Sequence, residues 1–268
     1  VKASKGIITM AQQRFYHIGY GVDDLAGHQP RMALISGDPE RAAAIAHTYL
    51  QGARTLSDHR GLHSSLAFLA DGTPVISATS GMGAPSLSIV VNELIQVGIT
   101  TIIRVGTCGS IQPHVLPGHV VVSQAALCRQ GAANDIAPVE FPASADPYTT
   151  MALMESATSQ SIPAHMGVTA SVDTFYEGQE RKASANPHLM RKHVGVTAEY
   201  QHLGILNYEM EAGTLFKMGL VYGFAAGCVC AAVAQRTTAE TIVLEQKAEG
   251  VDRAIKTAIG ALERLARR

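Results

Sequence analysis

The sequence predicts an α/β domain built around a central mixed β-sheet. Three observations predict it. Short β-branched apolar runs end at glycines and lead into helically spaced patterns, an Asp-Gly turn joins two neighbouring apolar runs, and the chain closes with a long amphipathic helix.

Residues 32–36 read as the first strand, Gly37 as its turn, Asp38 as an N-cap and Pro39 as the first helical residue, where its missing N–H costs nothing. A helix follows over 42–49. Residues 65–69 and 74–78 are apolar runs joined by Asp71-Gly72, a dipeptide that closes antiparallel hairpins, so the sheet is expected to be mixed. Helical spacing returns over 86–97, and 100–105 is β-branched enough for a buried strand. Further strands are expected over 119–123, 167–172 and 204–209. The apolar run 220–234 is shorter than the roughly 20 residues of a membrane helix and contains Gly223 and Gly227, so it reads as a buried central strand. Val251, Ile255, Ile259, Leu262 and Leu265 form one apolar face of a last helix over 247–265. No repeat or linker interrupts the pattern. Residues 15–268 are therefore expected to form one domain, with 1–14 an N-terminal tail or a remnant of expression or processing.

The 268 residues are 47% hydrophobic and 16% charged, which is globular composition with ample core. A net charge of −1 provides no basic footprint for a nucleic acid. Cys108, Cys128, Cys228 and Cys230 lack the CxxC spacing of a zinc site and read as buried, reduced thiols of a cytoplasmic protein, with no metal expected. Residues 1–14 contain no apolar stretch of signal-peptide length.

Five segments bear chemistry. Gly37-Asp38-Pro39-Glu40-Arg41 sets an arginine in the first turn of a helix, where free N–H groups and a cation suit an anion. Arg104-Val105-Gly106-Thr107-Cys108-Gly109-Ser110 puts an arginine in an apolar strand, which requires a partner, followed by glycines that let backbone approach a ligand. Asp173 to Arg181 offers Phe175 as a stacking surface and Gln179 and Arg181 as donors matched to a cyclic imide. Asn207-Tyr208-Glu209-Met210-Glu211 supplies a carboxylate able to hold a diol, for which Glu211 is the candidate, and Ala234-Gln235-Arg236-Thr237 ends the long apolar run in polar groups. Each also has a plain structural reading: a capped helix with a surface arginine, an arginine paired with a buried carboxylate, a polar loop, a helix-start acid, a strand end. Gly81-Met82-Gly83-Ala84-Pro85 lacks the third glycine of a dinucleotide fingerprint and reads as a close-packing turn beside the anion pocket.

Together these segments resemble the uridine phosphorylase, or pyrimidine, branch of the nucleoside phosphorylase family, in the same order. The likeness runs from His17 to the last helix and includes Ile111-Gln112-Pro113-His114, Val139-Glu140-Phe141-Pro142-Ala143, Gly167-Val168-Thr169-Ala170 and Asn207-Tyr208-Glu209-Met210-Glu211. It implies a three-layer α/β/α fold. It implies that Gly37, Arg41, Arg104 and Thr107 hold phosphate, with Arg60 reaching in from a neighbouring subunit. Glu211, Met210 and Arg104 would hold the ribose hydroxyls, with His17 of the neighbour at the 5′-hydroxyl. Gln179, Arg181, Phe175 and Arg236 would read the uracil, with Cys108 and Gly109 lining the base. Arg104, Gln179 and Arg181 would carry catalysis without a side-chain nucleophile. Purine-specific relatives carry an aspartate where Gln235-Arg236 stands, and hydrolytic relatives lack the full arginine set.

The resemblance also implies a homo-oligomer, hexamer or dimer, with shared sites, uridine, uracil, phosphate and ribose 1-phosphate as ligands, phosphate as co-substrate, and no cofactor. Gly61 stands where bacterial members often carry a glutamate for a monovalent cation, which argues against a potassium site. Thr241-Ile242 and Tyr176-Glu177 replace Ile-Pro and Tyr-Pro pairs, the first in a stretch after Arg236 that resembles a lid. The alternatives are a broader pyrimidine phosphorylase that also takes thymidine or 2′-deoxyuridine, and a nucleoside-binding protein without turnover.

Overall fold

The first strand, β1 (Met32–Ser36), is buried along its whole length and emerges at Gly37. The computed structural model describes residues 14–237, 240–242 and 244–268. Asp38 accepts from the Glu40 N–H at 3.0 Å and caps α1 (Pro39–Ala44), as its sequence predicts, and the helix runs on into a π-turn over Ile45–Tyr49. The expected hairpin forms between β3 (Ser64–Phe68) and β4 (Pro74–Thr79), which pair antiparallel, while β4 pairs parallel with β1. An edge strand, β2 (Gln51–Ser57), extends this side; it is mostly exposed and has no apolar alternation by which to be read.

After α2 (Ala84–Val97), capped by Gly98 in the left-handed region, β5 (Thr101–Ser110) pairs with β1 through its first half only. Its second half continues beside β9 (Ala225–Arg236) and β8 (Asn207–Glu209). With β6 (Val120–Arg129) and β7 (Ala164–Val172), these strands close on themselves, because β9 pairs with both β5 and β6. Among the described residues the sheet has ten strands, counting β10 (Glu240–Ile242), which pairs antiparallel with β9. The sheet is mixed, as expected, and half of it is curled into a ring.

Two helical layers cover it. On one face α2 packs with α6 (Ala212–Tyr222), where Leu87, Val91, Leu94, Leu215 and Phe216 join one core. On the other, α4 (Pro147–Ser159) and α7 (Leu244–Ala266) contribute Leu153, Ala254, Ile255 and Leu262 to a second. The short helices α3 (Gly131–Ile136) and α5 (Val196–His202) complete the set, α5 packing Val196 and Tyr200 on Ile205 and Tyr208. The expectations did not include α3, α4, α5 or α6. The buried face of α4 is Thr149, Thr150, Ala152, Leu153, Ser156 and Ala157, too small and polar to register as an apolar stripe.

One expectation is corrected. Residues 220–234 are not a single strand: Leu220, Val221 and Tyr222 end α6 with 46%, 44% and 42% exposure, Gly223 caps the helix at φ 76°, and the strand starts at Ala225. An apolar run cannot by itself distinguish a helix end from a strand start, and the glycine was the boundary. The stretch expected to be a lid holds β10, with residues 238, 239 and 243 outside the described residues, as are 1–13 of the expected tail. Cys108, Cys228 and Cys230 are buried free thiols, and Cys128 is half-buried. No described helix is long and apolar enough to cross a membrane.

Candidate active site

The C-terminal ends of β1, β4, β5 and β9 face one cavity of about 510 Å³. Open α/β sheets place ligands at such strand ends, where neighbouring connections diverge. Gly37, Arg41, Arg104, Thr107, Cys108 and Gly109 line it from the strand side. Phe175, Gln179 and Arg181 line it from the loop after β7, and Met210 and Glu211 from the turn after β8. His17, Arg60 and Arg236 are not among its lining residues.

Arg104 is the centre of the strand-borne part. It is 4% exposed, donates from Nε to Glu209 Oε2 at 3.1 Å, and pairs through Nη2 with Glu211. Gly106 makes this possible, since a Cβ there would lie 2.9 Å from Arg104 Nη2 and 2.7 Å from Cys230 Sγ. Glu209 accepts further from the N–H groups of Glu211 at 2.7 Å and Ala212 at 2.8 Å and from the Ser171 hydroxyl. Glu211 accepts from the Gly83 N–H at 2.5 Å, which is the role the Gly81-Met82-Gly83 turn fills, while Met82 reaches the cavity. Burial works against the Arg104 charge, but Glu211, Cys230 and Glu209 outweigh it and drive its pKa up. Burial pushes the Glu209 carboxyl up to about 7 against the pull of Arg104.

Arg41 lies beside Arg104. Its Nη1 donates to Ser36 Oγ at 3.2 Å and the Val105 carbonyl at 3.3 Å, and Nη2 stands 3.6 Å from Asp38. Burial lowers its pKa, Asp38 opposes the shift and Arg104 adds to it. Its Nε is buried without a hydrogen-bond partner. A buried guanidinium at Arg104 and a half-buried one at Arg41, the latter with an unpartnered buried donor, are suited to an anion.

The loop-borne part differs. Arg181 Cζ lies 3.8 Å from the Phe175 ring centroid, its Nη1 donates to the Phe175 carbonyl at 2.9 Å, and the same nitrogen donates to Gln179 Oε1. Gln179 is 3% exposed and Phe175 46%. Arg236 stands behind this pair: Nη2 donates to the Gln179 carbonyl at 2.7 Å and its guanidinium covers the Tyr208 ring at 5.3 Å. Tyr208, Glu209 and Ala234, from segments the sequence singles out without giving them a role, also line the cavity, as do Val233 on β9 and Lys247 on α7, which no sequence signal marked.

His17 and Arg60 come together elsewhere. Arg60, at φ 57°, sets its guanidinium 5.6 Å from the Tyr16 ring centroid, and that ring meets the His17 ring at 5.0 Å. His17 is held by Glu93, with Nδ1 to Oε1 at 2.6 Å. Both are therefore on one surface outside their own cavity.

A layered α/β fold in which one cavity joins a buried arginine–carboxylate cluster to a second arginine is suited to a small anion beside a hydroxyl-bearing ligand. The profile of the Phosphorylase superfamily matches residues 31–267, and the chain belongs to that superfamily. It is 41% identical over 256 residues to the uridine phosphorylase of Salmonella typhimurium strain LT2, covering 96% of this chain and 100% of the relative. The uridine phosphorylase of Escherichia coli strain K12 gives the same identity and coverage. The guanosine phosphorylase of Halorubrum lacusprofundi is 28% identical over 246 residues, covering 89% of this chain and 95% of the relative.

Proposed function

We propose that this chain is a uridine phosphorylase, which cleaves uridine reversibly with inorganic phosphate to uracil and ribose 1-phosphate. The observation that carries this is the joining, in one cavity, of the Arg41–Arg104–Glu211 cluster with the Gln179–Arg181 pair. The whole-length identity of 41% to uridine phosphorylases supports the same reading.

In this reading Gly37, Arg41, Arg104 and Thr107 hold phosphate, and Glu211 and Met210 hold the ribose, Arg104 lying between the two. Phosphate oxygen attacks C1′ as the C1′–N1 bond breaks, and the bonding electron pair passes onto the uracil ring. Gln179 and Arg181 stabilise that charge at the ring oxygens, Phe175 lines the ring with Cys108 and Gly109, and Arg236 holds Gln179 from behind. Donors aimed at charge that grows only in the transition state are worth about 2.7–4 kcal/mol each. No side-chain nucleophile and no cofactor enter, and rates equal in sodium and potassium buffers are expected with Gly61 in place of an acid.

The enzyme acts in pyrimidine salvage as a cytoplasmic homo-oligomer, a hexamer or a dimer, in which His17 and Arg60 complete a neighbour's site. Their common surface away from their own cavity supports this. The decisive experiment follows uridine absorbance with and without phosphate. Uracil release that requires phosphate is expected, and equal release without it refutes the proposal. Arg60→Ala and Arg181→Ala proteins, each nearly inactive alone, should regain activity when their subunits are mixed; no recovery refutes shared sites.

A further inference from the structure

Gln179 and Arg181 line the cavity, but Glu180 between them does not. Glu180 adopts φ 54°, in the left-handed region that a residue with a Cβ rarely occupies, and its side chain is absent from the cavity lining. Its carboxylate instead spans to the start of α5, accepting from the Gly195 N–H at 2.5 Å and the Thr197 N–H at 2.8 Å. Thr197 Oγ1 lies 3.0 Å from Tyr208 Oη. The Tyr208 ring lies under the Arg236 guanidinium, and Arg236 returns to the Gln179 carbonyl. The contacts form a closed circuit from Glu180 through Thr197, Tyr208 and Arg236 back to Gln179. Every member is joined to the next by a hydrogen bond, a ring contact or the chain itself.

We infer that Glu180 is a positioning residue for the reaction, its carboxylate anchoring the Gln179–Arg181 pair to α5 so that both donors meet the departing base at a fixed spacing. The inference rests on the uridine phosphorylase reading for the identity of that base. A strained loop residue whose carboxylate uses both oxygens on a separate helix is suited to holding its neighbours against recoil. Misplacement by about 1 Å at a reacting centre costs about a hundredfold in rate.

The test compares the full-length wild type with Glu180→Gln, which keeps the side-chain shape, and Glu180→Gly, which keeps the left-handed backbone without a carboxylate. Each is assayed with uridine and with 5-fluorouridine, whose fluorine withdraws charge and makes the base a better leaving group that depends less on the two donors. Both variants should lose about a hundredfold in kcat on uridine and distinctly less on 5-fluorouridine. The KM for phosphate should stay close to wild type, and the urea midpoint at neutral pH should fall only by the small margin that the ionised Glu180 carboxylate contributes. Equal loss on both substrates, or a phosphate KM that rises in step, marks a merely structural residue and overturns the inference. So does wild-type kcat in Glu180→Gly, which would assign the effect to the backbone alone. A wild type that releases uracil without phosphate overturns the uridine phosphorylase reading and this inference together, whereas a phosphate-dependent wild type with unaffected variants overturns this inference alone.

Discussion

Arg104 and Glu211, each 4% exposed, stand on a strand and at the start of a helix, whereas Phe175, 46% exposed, and Arg181 stand on a loop held by hydrogen bonds and ring contacts. The first group is part of the folded core, since its charges are compensated inside the protein before any ligand arrives. The second is an attachment to that core. Damage to the first should therefore appear in stability and activity together, and damage to the second far more in activity than in stability.

Arg104→Met should break the comparison most severely. It leaves Glu209 and Glu211, with side chains 0% and 5% exposed, buried without their cation. Unpairing a buried charge costs about 3–5 kcal/mol, to be read from urea midpoints, and phosphorolysis should vanish. A stable and active variant would mean that the cluster is neither a core element nor the phosphate and ribose site.

Arg181→Ala should lower turnover at least about a hundredfold, the equivalent of one transition-state donor, while leaving the urea midpoint nearly unmoved. A large fall in stability would place the loop in the core and dissolve the distinction. Gly106→Ala tests the other side by volume alone, because its Cβ would press on Arg104 Nη2 and Cys230 Sγ. Overpacking of this kind costs about 1–3 kcal/mol and should reduce phosphate affinity along with stability.

The smallest effect is expected in the pH dependence, where the two regions should move in opposite directions. Glu209 has its pKa raised by burial to about 7, so the folded state holds a proton that the unfolded chain gives up near pH 4.3. Its contribution is present below that value and is lost as pH rises through about 7. Glu180 is the reverse. Burial opposes its ionisation, but the amides of Thr197 and Gly195 outweigh burial, with Lys182 adding to them, and its pKa is lowered. Its contribution is present above the ordinary glutamate value of about 4.3 and is lost as pH falls through the lower folded value. Urea midpoints of the wild type, Glu209→Gln and Glu180→Gln between pH 3 and pH 8 should show the two differences fading at opposite ends. Parallel curves would contradict the contrast.

Much of the site was legible because its residues lie in short segments whose local chemistry is unusual. An arginine inside Ile102-Ile103-Arg104-Val105, a glycine turn before Arg41, and a Gln-Glu-Arg triplet after a strand each break a local rule. The hairpin at Asp71-Gly72 and the capped helix at Asp38 were legible for the same reason, since capping and turn chemistry act within a few residues. Where local rules have no purchase the reading stopped. The run 220–234 looked uniform, α4 hid its buried face in threonine, serine and alanine, and β2 carried no alternation.

What the sequence by itself determined is the class of fold, the hydrophobic layers around it, and the kinds of side chain that meet in the cavity. The class of fold and the unusual side chains follow from periodicity and from single residues out of keeping with their neighbours, whereas the layers and the joining of those side chains in one site were what the family resemblance implied. The tertiary structure decided that Glu209 is a second carboxylate on Arg104, a pair 105 positions apart in the chain, and that Arg236 supports Gln179 from 57 positions away. It also decided that His17 and Arg60 share a surface outside their own cavity. The physical reason is that a buried charge is tolerated only with partners of fitting geometry, and those partners are supplied by strand pairing and ring closure, which no local pattern encodes.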